Sequence, residues 1–267
     1  MTRAYERIKI ARDGGVETIA LSYAARRNAI GPRMASELLW ALEDARADDD
    51  VRAIVLTGEG ETFCAGGDFD EIASGVTDWK LPRKGDVTDL WLALFHSDKP
   101  VIARVNGHAL GGGLGLAAAS TFAIASTTAR LGTPEIEVGL FPMTIMAVLA
   151  RHVPRRRLLE MMLLGETLGA EEAARLGLVN RAVAPERLDA EVEAITGAIV
   201  GKSPSAVRLG LRAFAAQDDL DLEAALPMLR ERLAECIATD DAREGLRAFL
   251  EKRRPRWKEN KGDADDA

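Results

Sequence analysis

The order of apolar and polar positions predicts that strands and helices alternate through the first half of the chain. Short apolar-rich runs with the length and composition of strands lie at 5–11, 16–23, 51–57, 101–105 and 122–125. The first two runs are joined by Arg12-Asp13-Gly14-Gly15, a sequence typical of a turn. Helical spacing begins at Pro32, and further helices are predicted over 87–95 and 114–119. Residues 75–86, with proline, glycine and mixed charge, are predicted to form a surface loop.

The second half of the chain changes character after Pro142. From there, apolar residues recur at helical spacing through 161–164 and then over 171–177, 186–200, 204–216, 221–238 and 240–254. A single late strand is predicted over 178–183. The pattern therefore predicts an α/β fold. A core of strand–strand–helix repeats over residues 1–200 precedes a helical C-terminal part over residues 201–267.

Composition and charge narrow the classes of protein that fit. The 267 residues are 47% hydrophobic, enough to bury a core in one domain with a helical appendage. The formal net charge of −7 argues against a nucleic-acid partner. No apolar run is long enough to span a bilayer, and the first residues lack the apolar segment of a signal peptide. Cys64 and Cys236 form neither a disulfide framework nor a metal-ligand spacing. We expect a soluble cytoplasmic protein with no metal and no membrane partner.

Two glycine-rich segments, Phe63–Asp68 and Asn106–Leu116, carry the strongest chemical signal in the chain. Both lie where an apolar strand ends and a helix can begin, so unpaired backbone N–H groups can point at a ligand. Glycine also allows a ligand to approach the main chain closely. One N–H group from each segment could hold the negative oxygen of an enolate. The pattern predicts an oxyanion hole, and hence an enzyme of carbonyl chemistry.

Several ordered motifs are similar to those of one known family. They are Arg26-Arg27-Asn28-Ala29-Ile30, Phe63-Cys64-Ala65-Gly66-Gly67-Asp68, Asn106-Gly107 with Gly111-Gly112-Gly113, Pro134-Glu135 with Gly139-Leu140-Phe141-Pro142, Gly169–Ala173, Ala174–Asn180 and Phe249–Pro255. The chain resembles the enoyl-CoA hydratase/isomerase (crotonase) superfamily over nearly its whole length. The resemblance implies a spiral of ββα repeats with C-terminal helices covering the site, assembled as a homotrimer or a dimer of trimers. It implies an acyl-CoA ligand, with coenzyme A as part of the substrate and no other cofactor.

The resemblance assigns catalytic roles to three residues. The N–H groups of Gly67 and Gly112 become the oxyanion donors, and Glu135 becomes the acid–base group. Hydratases of the family typically carry two glutamates, and the position of the first is Gly115 here. Since moving a double bond needs only one base, the missing acid favours isomerisation over hydration. In an apolar pocket, burial should raise the pKa of Glu135.

The sequence leaves other activities open. They are a hydratase working with one glutamate, a thioester hydrolase or decarboxylase of the same family, and a non-catalytic acyl-CoA-binding protein.

The same resemblance places further residues against the substrate. They are Arg26, Arg27, Ala65, Gly66, Asp68, Gly111 and Lys252.

Four side chains have competing interpretations. Asp68 could instead cap the following helix. His108 is interpreted as packing rather than a proton relay, and Cys64 as buried rather than nucleophilic. Glu137 is expected on the other face of an extended segment from Glu135.

Overall fold

The computed structural model describes residues 3–75 and 78–258 as ten strands and eleven α-helices. The strands are β1 Ile8–Asp13, β2 Val16–Leu21, β3 Ala53–Gly58, β4 Thr62–Cys64, β5 Val101–Val105, β6 His108–Leu110, β7 Phe122–Ser126, β8 Arg130–Gly132, β9 Thr167–Gly169 and β10 Arg181–Val183. The helices are α1 Pro32–Ala47, α2 Phe69–Ser74, α3 Val87–Phe95, α4 Gly112–Ala119, α5 Met146–Leu149, α6 Arg155–Leu164, α7 Ala170–Arg175, α8 Leu188–Val200, α9 Pro204–Gln217, α10 Leu222–Ile237 and α11 Asp240–Leu250. Short 3-10 helices cover Ala24–Arg26, Pro134–Val138, Pro185–Arg187 and Arg256–Lys258.

The strands form two sheets, and each strand–strand–helix unit of the middle of the chain contributes one strand to each sheet. The larger sheet has the order β1-β2-β3-β5-β7-β10, and the smaller has β4-β6-β8-β9. Only the β1–β2 hairpin and the β8–β9 pair are antiparallel. From β3 to β8, the first strand of each unit enters the large sheet and the second enters the small one. The predicted α/β fold with ββα repeats is confirmed, and helices α9–α11 follow it.

Apolar residues cover both faces of the large sheet. The main core joins one face to α1, α3 and α4, with Leu38, Leu90 and Leu116 fully buried. A smaller cluster lies on the other face, where Leu188 and Val192 of α8 pack against β3, β5 and β7. Burial from two sides explains why these strands are almost continuously apolar. Among the described residues, no helix combines the length and apolar composition needed to cross a bilayer.

The structure differs from the predicted elements in three places. The whole small sheet was missed, because each of its strands is only three residues long and carries no readable alternation. The late strand is shorter than predicted, since it begins at Arg181. The segment holding Glu135 and Glu137 is a 3-10 helix rather than an extended strand, although Glu137 is exposed as expected. The division at residue 200 stays a prediction.

Candidate active site

The small sheet brings the two glycine-rich segments together. β4 and β6 are parallel neighbours, so both segments leave the same edge of the sheet. A Cβ atom on Gly66 would lie 3.3 Å from the carbonyl oxygen of Leu110, and one on Gly112 would lie 4.0 Å from the carbonyl carbon of Gly66. Gly66 and Gly111 have φ angles of +110° and +49°, which favour glycine. The tight turns therefore place Gly67 close to Gly112.

The backbone N–H groups of Gly67 and Gly112 are both unpaired. Ile30 donates its N–H to the carbonyl of Gly66 at 2.7 Å, and its own carbonyl accepts the N–H of Asp68 at 2.9 Å. These two hydrogen bonds flank Gly67 and leave its N–H without a partner. Gly112 begins α4, where the first N–H groups lack an intrahelical acceptor. Within the described ranges, neither N–H has a protein acceptor. The positive end of the α4 dipole adds to an anion-binding site here.

Glu135 lies directly against this pair of turns. It sits in the 3-10 helix that follows β8, the neighbour of β6. A Cβ atom on Gly111 would lie 2.6 Å from Oε1 of Glu135, so a side chain at Gly111 would displace the carboxylate from this position. Its other oxygen, Oε2, is buried and finds no hydrogen-bond partner among the described residues. Desolvation by burial raises the pKa of Glu135 above the ordinary glutamate value, as expected for an apolar pocket.

Gly67, Gly112 and Glu135 all line one cavity of about 510 Å³. This volume is within the ordinary range for small-molecule sites. Most of the remaining surface is apolar, supplied by Ile30, Phe69, Ile72, Val87, Trp91, Phe141 and Ile145. The cavity can thus hold an apolar ligand with a polar head group at the turns.

The cavity wall beside Gly115 is closed. A Cβ atom on Gly115 would lie 2.7 Å from Cγ2 of Ile145 and 3.0 Å from Cη2 of Trp91. Real Cβ atoms essentially never come within 3.0 Å of another group. The space that a side chain at this position would need is therefore filled by Trp91 and Ile145, and no carboxylate is present there.

Comparison with known proteins identifies the family. The sequence profile of the enoyl-CoA hydratase/isomerase family matches residues 11–260. The chain belongs to the enoyl-CoA hydratase/isomerase family. A short-chain-enoyl-CoA hydratase of Clostridium acetobutylicum is 32% identical over 249 residues, which cover 92% of this chain and 95% of that protein.

Solved structures agree with this assignment. The enoyl-CoA hydratase of Mycobacterium smegmatis superposes with a TM-score of 0.87 at 38% identity, covering 94% of this chain and 99% of that one. Human enoyl-CoA hydratase domain-containing protein 3 gives a TM-score of 0.88 at 31% identity, covering 94% and 100%. The chain therefore has the crotonase fold, and the predicted superfamily is confirmed.

Other family-assigned residues near the turns have mainly structural contacts. Ala65 donates its N–H to the carbonyl of Arg27 at 3.0 Å, which joins the segment after β2 to the first glycine turn. Arg26 forms an exposed ion pair with Asp70. Asp68 is buried and caps α2, accepting the N–H of Glu71 at 3.2 Å. The capping interpretation of Asp68 is confirmed, and its contact with a ligand stays a prediction.

All seven predicted ligand contacts lie outside the lining of this cavity. They are Arg26, Arg27, Ala65, Gly66, Asp68, Gly111 and Lys252, the last of which follows α11 with an exposed side chain. Their assignment to coenzyme A stays a prediction.

His108 and Cys64 have no role in the cavity. His108 is exposed on β6, and its Nδ1 accepts the backbone N–H of Arg130 at 3.1 Å. Cys64 is fully buried, and burial raises the pKa of its thiol to about 12. Because the thiolate is the nucleophile, such a group is unreactive at neutral pH. Cys64 is buried as expected, whereas His108 is exposed and hydrogen-bonded rather than packed in the core.

Two residues outside the predicted set also shape the site. Trp91 lines the cavity, as does Val87. The two residues are four apart on a predicted helix, a spacing that places them on the same face. Asn28 is fully buried, and its side-chain amide donates to the carbonyls of Glu59 at 3.0 Å and Thr62 at 2.8 Å. Asn28 thereby holds the segment after β2 against β4. Its φ of +58° could not be read from sequence.

Proposed function

We propose that this member of the family isomerises unsaturated acyl-CoA thioesters, moving a double bond from C3–C4 to C2–C3 with Glu135 as the single proton carrier. The observation that carries the proposal is the closed wall beside Gly115. A hydratase of the two-glutamate type needs a carboxylate there, and Trp91 and Ile145 take its space. The other carboxylate that lines the cavity, Asp86, caps α3 by accepting the N–H groups of Thr88 and Asp89. A water molecule at the turns would therefore have Glu135 alone to orient it.

The reaction follows from the placement of three groups. Glu135 takes a proton from C2 of a 3-enoyl thioester, and the electron pair spreads over the carbonyl and the double bond. The negative charge that develops on the thioester oxygen is held by the N–H groups of Gly67 and Gly112. Glu135 then returns the proton to C4. The double bond ends between C2 and C3, and no water enters or leaves.

Desolvation of Glu135 supports both halves of this cycle. A carboxylate whose pKa is raised toward neutrality is a stronger base, and its acid form still releases the proton readily. The unpartnered Oε2 supports the same role, because an unsatisfied buried oxygen is costly unless a ligand group approaches it.

A coupled assay separates isomerisation from hydration. Purified protein is given a 3-enoyl-CoA or a 2-enoyl-CoA of the same chain length, and double-bond migration and water addition are followed separately. We expect migration to be faster than hydration. Rapid hydration of the 2-enoyl thioester without migration of the 3-enoyl thioester would contradict the proposal. It would favour a one-glutamate hydratase. Hydratase is the activity named for relatives such as the Clostridium acetobutylicum protein.

Exposed apolar side chains on α9–α11 support the proposed homotrimer or dimer of trimers. Phe214, Leu226, Leu233, Leu246 and Phe249 are all more than half exposed in the single chain. Helices α9, α10 and α11 contact one another, and apolar side chains exposed together on neighbouring helices are typical of protein contacts. Light scattering should give the mass of three or six chains, and a monomer would contradict this.

The proposed compartment is the cytoplasm, in keeping with two unpaired cysteines.

A further inference from the structure

Trp91 stands at the boundary between the core and the cavity. On α3, Leu90 and Leu94 are buried in the core, whereas Val87 and Trp91 line the cavity. The indole is only 5% exposed, and its Nε1–H donates to Oγ1 of Thr144 at 3.4 Å. Packing and this hydrogen bond hold the ring in one orientation. It forms a rigid wall rather than an adaptable one.

The position of this wall along the substrate is set by α4. The Cη2 and Cζ2 atoms of Trp91 would lie 3.0 and 3.1 Å from a Cβ atom on Gly115. Gly115 follows Gly112 by three residues, a distance of about 4.5 Å along a helix. The indole edge therefore contacts α4 about 4.5 Å along the helix axis from Gly112, whose N–H group is proposed to bind the thioester oxygen. An acyl chain leaving that oxygen meets the ring within its first few carbons.

We propose that Trp91 is the residue that determines acyl specificity, and that it selects chains unbranched at the carbons beside the reacting double bond. The inference rests on the proposed function, because it takes the thioester oxygen to lie at Gly67 and Gly112. A methyl branch at these carbons presses on an indole that cannot retreat, since its far edge already lies against Gly115 of α4, which does not line the cavity. One extra methylene in such a pocket changes discrimination by about 10–200-fold.

Binding of saturated acyl-CoA thioesters tests the proposal without turnover. Hexanoyl-CoA and 4-methylhexanoyl-CoA are titrated into the full-length protein by calorimetry. We expect the wild-type protein to prefer the straight chain by at least about tenfold. In Trp91→Leu, the smaller side chain opens the wall, and this preference should fall by about tenfold. The matched control is Leu92→Ala, since Leu92 is the next residue on α3 and is 57% exposed; it should keep the wild-type preference.

The outcomes separate this proposal from the proposed function. If hexanoyl-CoA binds but Trp91→Leu keeps the wild-type preference, the role of Trp91 is refuted and the acyl-CoA site stands. If neither thioester binds the wild-type protein, both proposals fail. Circular dichroism checks that each variant is folded. Should Trp91→Leu not fold, Trp91→Phe keeps an aromatic ring in the core, and the preference should then fall by a smaller factor; an unchanged preference refutes the proposal.

Discussion

Replacing Gly115 with alanine tests the packing that closes the cavity wall. Gly115 is buried in α4, and the added methyl group would lie 2.7 Å from Ile145 and about 3 Å from Trp91. Overpacking of this kind costs about 1–3 kcal/mol. Alanine also has a higher helix propensity than glycine, which contributes about 1 kcal/mol of stabilisation. The net change in the free energy of unfolding should be a loss of about 0–2 kcal/mol.

The same substitution at Gly197 is the matched control. Gly197 lies inside α8, is exposed, and has nothing within 4 Å of its Cβ direction. Gly197→Ala should therefore show only the propensity effect, a stabilisation of about 1 kcal/mol. Because propensity is common to both variants, the difference between them isolates the overpacking at Gly115. That difference should be about 1–3 kcal/mol.

Urea unfolding of both variants at one protein concentration measures this difference. Gly115→Ala should move the midpoint to lower urea than Gly197→Ala, with unchanged slopes. Equal stabilisation by both substitutions would refute the packing of Trp91 and Ile145 against Gly115. The main support for a single-acid mechanism would then be lost, since a side chain at this position would fit.

Three further predictions concern the catalytic groups and the cysteines. Glu135→Gln should lower turnover by about 10²–10⁴, and in the wild type kcat/KM should fall as pH drops through the raised pKa of Glu135, at a midpoint above that of an ordinary glutamate. Ionising the Glu135 carboxyl disfavours the folded state, so Glu135→Gln should also raise the free energy of unfolding at neutral pH but not below the pKa of an unfolded glutamate. As a control, Glu137→Gln at an exposed position should change neither the turnover nor the free energy of unfolding. Gly112→Pro removes the N–H group at a helix position that tolerates proline and should lower turnover by about 10²–10³. Gly112→Ala keeps the N–H group, its Cβ meets nothing closer than 3.6 Å, and its turnover should be near that of the wild type. Equal activity of the two variants would contradict the donor role of Gly112. Iodoacetamide at mildly alkaline pH should label Cys236 in the native protein and reach Cys64 only after unfolding, which mass spectrometry checks.

The sequence alone selected the residues of the candidate site and the class of fold. The glycine turns and Glu135 could be read locally, because the order of motifs and the need for glycine at close approaches leave a direct mark on the sequence. The long apolar strands and α1 were readable for a similar reason. Each is long enough to show its own periodicity and is bounded by turn or capping residues.

Only the tertiary structure showed how these residues are arranged. The small sheet consists of three-residue strands, whose pairing comes from neighbours distant in the chain. The 3-10 helix that turns Glu135 toward Gly111 was likewise invisible to periodicity. Gly115 shows the division most clearly. The sequence established that no carboxylate stands there, but the groups that fill the space belong to other helices and loops. Packing between distant segments depends on the whole fold, so only the structure revealed that Trp91 and Ile145 close that wall.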